Sequence, residues 1–251
     1  MAKKLGPFDG VLNIVRFNWH FYLVAFIILL GAGLTLKQLP EGLRFLVFLV
    51  LIFTAASLLI SLLTSFYVYD LSNLYQLPWI SLDSRQKVLN VNAGFDETSS
   101  ILLSKFPDIK LTVADFYNPQ LHTEVSIKRA RSAYPPFPGT HPINTNKLTF
   151  PDGEFDASTL ILSAHEIREH HERIQFFKEI NRVTKPGGRI YVIEHLRDWP
   201  NFLAYTIGFF HFHSKKTWIN TFESAGLKII EEKKTTPFIS TFILSAHGNT
   251  F

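Results

Sequence analysis

The chain has 251 residues, with 25 Lys and Arg against 21 Asp and Glu and a formal net charge of +4. That modest charge, without a compact basic stripe carrying interleaved aromatics, gives no basis for nucleic-acid binding but suits an anionic membrane face. The absence of cysteine excludes a disulfide framework.

Taken in chain order, two uncharged apolar runs come first, Phe17 to Leu36 and Phe45 to Tyr69. A hydrocarbon core of roughly 30 Å is crossed by about 20 helical residues, so each run is long enough to span. Buried core helices are the competing reading, but such helices seldom stay uncharged for this length. Trp19, Tyr22, Tyr67 and Tyr69 sit where interfacial aromatic belts belong. The link from Lys37 to Arg44 carries Pro40 and Gly42 as turn residues. Residues 1–80 are therefore expected to form a transmembrane hairpin, followed by an amphipathic connector, Tyr69 to Trp79, lying along the interface. Lys3, Lys4, Arg16, Arg85 and Lys87 flank the hairpin against Lys37 and Arg44 in its loop, which places both termini in the cytoplasm of an inner or plasma membrane.

Residues 81–251 alternate short aliphatic runs with helical patterns, as a largely parallel sheet does. Strands are expected at Lys87–Val91, Ile109–Val113, His141–Asn144, Ala157–Leu162, Arg189–Glu194, Lys228–Lys234 and Phe238–Leu244. Helices are expected at Asp96–Lys105, Thr123–Ala133, Glu169–Val183 and Lys215–Ala225. Pro186-Gly187-Gly188 follows the third of these as a stop. In the helix before Pro135-Pro136, Lys128, Arg129 and Arg131 form either a solvated face or a contact for headgroups or a substrate phosphate.

Two motifs carry a resemblance: Leu148-x-Phe150-x-Asp152-x-x-Phe155-Asp156, and Phe177 followed by Arg182-x-x-Lys185-Pro186-Gly187-Gly188. With the preceding strand, turn and acidic residue, the stretch from Arg85 to Gly248 resembles a class I S-adenosylmethionine-dependent methyltransferase, most of all the quinone and lipid branch. The resemblance implies a Rossmann-like α/β fold: a doubly wound, mostly parallel seven-stranded sheet with an antiparallel closing strand. It implies S-adenosylmethionine as cofactor and a hydrophobic, lipid-like or isoprenoid-like small molecule as acceptor.

Within it, Asn90, Asn92 and Gly94 correspond to the first cofactor turn, where the family has an acidic residue and alternating glycines and this chain keeps the middle glycine. Asp115 ends the second strand, where a carboxylate accepts from ribose hydroxyls. Asn144 and Thr145 correspond to residues against adenine. Asp96 falls near the methionine carboxylate or caps the following helix.

His165 and Glu166 end the fourth strand and His195 the fifth. His165 is the expected proton acceptor, with Glu166 orienting it and His195 a further candidate. No metal is expected, because His165 and His170 are one residue too far apart to share a helix face as in His-Glu-x-x-His. The aromatic segment 199–213 reads as a lid at the membrane interface, with His211 and His213 along it. The competing function is a non-catalytic membrane scaffold or binding protein on a degenerate methyltransferase fold, favoured by the reduced glycine turn.

Overall fold

A computed structural model describes residues 6–121 and 124–247. Lys3, Lys4, Thr123 and Gly248, which entered the expectations above, lie outside the described residues.

Helices α1 (Asp9–Thr35) and α2 (Glu41–Phe66) form an antiparallel pair joined by a turn at Leu36–Gln38. The first amides of a helix have no partner inside it; here Asp70 accepts from Gly10 and Val11, each at 2.8 Å. Gly10 makes that approach possible, since a Cβ there would stand 2.5 Å from the Tyr69 Cβ. Helix α1 has two parts. Gly10, Asn13 and Phe17 share one face and are buried against the rest of the molecule. At Asn18 the backbone leaves helical geometry and the side-chain amide donates to the Ile14 carbonyl at 3.0 Å, which kinks the helix. Beyond the kink the side chains are exposed or half-buried, as are those of α2 except the buried Ser65. Both helices are long and apolar enough to cross a membrane, with mean hydropathy 1.9 and 2.8 over windows that are 0% buried. A core helix would bury most of that surface.

The stretch after α2 departs from expectation. Val68, Leu74, Leu77 and Ile80 are buried and pack with Val88, Leu102, Ile109, Tyr191 and Ile193. The anticipated interfacial connector is instead part of the second domain's core, because apolar cover over one face of the sheet is supplied from there.

Strands β1 (Lys87–Asn92), β2 (Lys110–Asp115), β3 (His141–Pro142), β4 (Phe155–Ile161), β5 (Thr184–His195), β6 (Lys228–Thr236) and β7 (Ile239–Ser245) form one sheet in the order β3-β2-β1-β4-β5-β7-β6. Only β7 runs antiparallel to its neighbours, and the seven-stranded doubly wound sheet is the one expected. Helices α3 (Ser99–Lys105), α4 (Val125–Ala133), α5 (His170–Val183), α6 (Trp199–Tyr205) and α7 (Lys215–Ser224) complete the fold. Successive strand residues face opposite layers. Leu89, Ile190 and Val192 meet Phe176, Phe177, Ile180, Trp218 and Phe222 from α5 and α7, while Val88, Tyr191 and Ile193 meet the connector and α3. The motif residues hold this frame: Arg182 binds Asp152 at 2.6 Å, Glu179 at 2.6 Å and the carbonyls of Leu148 and Phe150, and Lys185 binds Asp156 at 2.6 Å. The chain leaves β1 toward β2 on one side and β4 toward β5 on the other, and ligands of such sheets bind beyond the carboxyl ends at that switch point.

Candidate active site

The carboxyl ends of β1 and β2 make one half of the site. Asn92 Oδ1 accepts from the Gly94 amide at 2.9 Å, closing a tight turn that puts Gly94 at φ +94°. Asp96 Oδ1 then accepts from the amides of Thr98 and Ser99, which starts α3. Among the described residues, Asn92 Nδ2 and Asp96 Oδ2 are buried with no hydrogen-bond partner. An unpaired buried donor and acceptor cost free energy, on the order of 1–3 kcal/mol each, unless a ligand meets them. Their sites match the carboxylate and ammonium of a methionyl group, so the turn fits the cofactor that the resemblance implies.

Asp115 ends β2 as expected, its Oδ1 accepting from the Tyr117 amide at 2.8 Å. Its Oδ2 is held by Arg131 of α4 at 2.5 Å, and that guanidinium lies 4.4 Å from the Tyr117 ring centroid. A Cβ at position 94 would meet Arg131 Nη1 at 2.5 Å. A ribose reaching Asp115 Oδ2 therefore requires Arg131 to turn aside. Other residues named from the sequence sit differently. Asn90 is fully buried, with its amide spent on Thr98, Ser99 and Thr159. Asn144 is exposed beyond β3, and Thr145 is buried with its hydroxyl on Glu172 at 2.6 Å.

The ends of β4 and β5 make the other half. His165 and Glu166 lie in the short helical turn Ala164–Glu166. His165 Nδ1 is 2.6 Å from Glu194 Oε2, and its Nε2 is 3.3 Å from Glu166 Oε1. Burial disfavours the imidazolium, but Glu194 and Glu166 outweigh it and push the His165 pKa up to about 10. Glu166 is also buried, yet the facing imidazoles of His165 and His211 hold its carboxyl well below the usual range. His211 closes the segment Thr206–His211 and places Nε2 3.6 Å from Glu166 and Nδ1 3.1 Å from Glu124.

His195 stands apart from this cluster. Its Nε2 meets the Tyr69 hydroxyl and its Nδ1 meets Asn201 Oδ1, each at 2.9 Å. The Asn201 amide already donates to Asp198 and Phe238, so its oxygen must accept and His195 carries its proton on Nδ1. Burial pushes its pKa down to about 4. The ring stacks on Phe212 and both nitrogens are used within the protein. His213 likewise turns into the core toward Arg173 and Trp218. The residue of β5 that faces the cluster is Glu194, which the sequence sets beside His195 as the second His/Glu pair at a strand end, with His195 taken as the candidate. Its signal was present in the alternation of the strand, but parity alone does not say which neighbour points to the site.

The aromatic segment 199–213 folds as α6 and the following helical turn. Trp199, Leu203, Ile207 and Phe210 present an apolar face, with Ile207 83% exposed. Helix α6 packs against α2, and α4 against α1. Arg129 of α4 binds the Phe17 carbonyl and His20 of α1, at 2.6 and 2.7 Å.

Comparison with known proteins agrees with this geometry. Residues 89–192 match the family described as methyltransferase domain. A SAM-dependent methyltransferase from Methanosarcina mazei has 17% identity and a TM-score of 0.50, over 65% of this chain and 93% of its own. A SAM-dependent methyltransferase from Aquifex aeolicus has 17% identity and a TM-score of 0.50, over 70% of this chain and 90% of its own. No protein of curated function matches. The sequence match over residues 89–192 and the shared sheet order together give this part of the chain a methyltransferase fold.

Proposed function

We propose that the chain is a membrane-anchored methyltransferase acting on a hydrophobic, lipid-like or quinone-like acceptor at the cytoplasmic face of a membrane. The observation that carries this reading is where the foot of the hairpin sits. Phe17 of α1 meets Phe95 in the cofactor turn at 5.6 Å, and Asn13 bonds to Glu97 next to it and to Tyr134. On the other side α2 packs against α6, whose outer face is apolar. A site framed by two apolar helices and an exposed apolar lid suits an acceptor that partitions into lipid.

S-adenosylmethionine supplies an electrophilic methyl on its sulfonium. The residues around it have separable tasks. Asp115 accepts from ribose hydroxyls once Arg131 has turned away, and Asn92 Nδ2 and Asp96 Oδ2 pair with the methionyl end. His165, Glu166 and Glu194 form one proton-sharing unit; because His165 already holds its own proton below about pH 10, a carboxylate of the unit takes the proton shed by an oxygen or nitrogen acceptor. Exclusion of water by the lid and alignment of the acceptor contribute the larger share of the acceleration.

A second reading, a membrane binding protein that no longer uses the cofactor, is favoured by the Arg131–Asp115 pair across the turn. One experiment decides between them. The full chain, purified in lipid nanodiscs, is titrated calorimetrically with S-adenosylmethionine and then assayed for labelled methyl transfer into an apolar extract of membranes. Binding and transfer are expected; a chain with no cofactor affinity is the scaffold. Reporter fusions test the anchoring separately, with the C-terminus expected inside and the Pro40 turn outside.

A further inference from the structure

The histidine and carboxylate groups at the β4 and β5 ends form a set that proton transfer alone does not account for. His165, Glu166 and His211 each offer one donor atom, and these atoms all lie within 4.8 Å of one another. Glu166 Oε1 stands 3.3 Å from His165 Nε2 and 3.6 Å from His211 Nε2. Charge-assisted N–H···O bonds are shorter, about 2.7–2.9 Å. A single ion with bonds of about 2.0–2.1 Å in tetrahedral array sets neighbouring donors roughly 3.3–3.4 Å apart, close to the two separations from Glu166.

The outer contacts point the same way. His165 turns its Nδ1 to Glu194 at 2.6 Å, and His211 turns its Nδ1 to Glu124 at 3.1 Å. His165 thus presents Nε2 to Glu166 and Nδ1 to Glu194, and His211 presents Nε2 to the same Glu166 and Nδ1 to Glu124, with Arg168 Nη2 also lying against both nitrogens of His211. That arrangement fixes the ring and strengthens it as a ligand, as second carboxylates do behind metal-bound histidines. Charge balance agrees. Among the described residues, the one permanent cation within ion-pair distance of any of Glu124, Glu166 and Glu194 is Arg168, which pairs with Glu124. Three carboxylates and one guanidinium leave two negative charges in a largely buried place, which a divalent ion cancels with both imidazoles neutral.

We propose that His165, Glu166 and His211 bind a divalent transition-metal ion, with zinc the best match to two nitrogens and one oxygen. Three protein donors leave a coordination position open to water or to an oxygen of a bound small molecule. Arg168, whose side chain is 41% exposed, keeps its pair with Glu124 and has only to leave the nitrogens of His211 when the ion enters. The expectation of no metal rested on His165 and His170. His170 itself lies at the start of α5 with its Nδ1 toward Arg173 at 3.3 Å. The chain returns to the site through His211 instead.

The test uses the full chain in nanodiscs, stripped with chelator and titrated with Zn²⁺ by calorimetry and with Co²⁺ by visible absorption. One ion per chain is expected, with the intense Co²⁺ bands of four-coordinate geometry. His211→Ala, chosen because its 29% exposed side chain is the least demanding to remove, should weaken binding at least 100-fold. Glu124→Gln should weaken it about 10–100-fold. His171→Ala, on the neighbouring helix, should leave it unchanged. Absence of ion binding in the wild type, wild-type affinity in His211→Ala, or loss in His171→Ala overturns the assignment. S-adenosylmethionine affinity measured on the same samples keeps this outcome separate from the fate of the methyltransferase reading.

Discussion

The two halves of the site contrast in how their polar groups are paired. Around β4 and β5, every carboxylate and imidazole of the cluster faces another member of it, with His165 held between Glu194 and Glu166. Around β1 and β2, Asn92 Nδ2 and Asp96 Oδ2 are buried and unpaired, while Asp115 is taken up by Arg131, which is replaceable. A preorganised cluster is what chemistry needs, since groups already placed do not have to reorganise as charge moves. Unpaired atoms beside an exchangeable ion pair are what binding needs, since a ligand gains what the protein has left unmet. On the proposed function, the β4 and β5 half is therefore the one built for turnover and the β1 and β2 half the one built for exchange.

This contrast can be broken most directly at His165. His165→Ala should lower methyl transfer about 10²–10⁴-fold with cofactor affinity nearly unchanged. A variant that folds, binds cofactor and turns over at the wild-type rate removes the cluster from the reaction.

His195 tests the boundary of that cluster through pH. Its folded pKa of about 4 lies below the ordinary 6.5, so the neutral ring stabilises the fold above pH 6.5. That contribution, on the order of 3 kcal/mol, should be lost as pH falls from 6.5 through 4. Thermal unfolding of wild type should show the fall, and His195→Gln should flatten it. An unchanged profile in the variant means that the ring is not the neutral, core-bound group assigned here.

On the cofactor side, Asp115→Ala removes an acceptor of charge-assisted bonds worth about 1.5–3 kcal/mol each. S-adenosylmethionine binding should weaken by an order of magnitude or more, while any residual turnover at saturating cofactor stays near wild type. A fall in saturated turnover with affinity intact would invert the division of labour between the halves.

The smallest effect sharpens the comparison further. The Arg131–Asp115 pair is partly exposed, so breaking it costs at most about 1 kcal/mol. Arg131→Ala should tighten cofactor binding by no more than about fivefold, read by calorimetry. Weaker binding would mean that Arg131 holds the cofactor instead of standing in its place.

The elements of the second domain were legible because their signals are local. The aliphatic run at Lys87, the 3.6-residue spacing of Ile180 and Phe177, and Asp115 at a strand end each depend on a few neighbouring residues. The two uncharged runs were legible for the same reason, since length and composition alone make a helix able to span. The kink at Asn18 was not, because it marks the point where α1 leaves the domain surface.

What only the tertiary structure decided is which groups face one another. Alternation along β5 required Glu194 and His195 to point oppositely, but the choice between them depended on Tyr69, Asn201 and Phe212 gathering around His195. Arg131 reached Asp115, and His211 reached Glu166, across segments whose paths no periodicity records. The connector entered the core because the sheet had an uncovered apolar face there. Backbone period and side-chain polarity are written residue by residue, whereas a site is made where distant segments converge, and that convergence is set by packing.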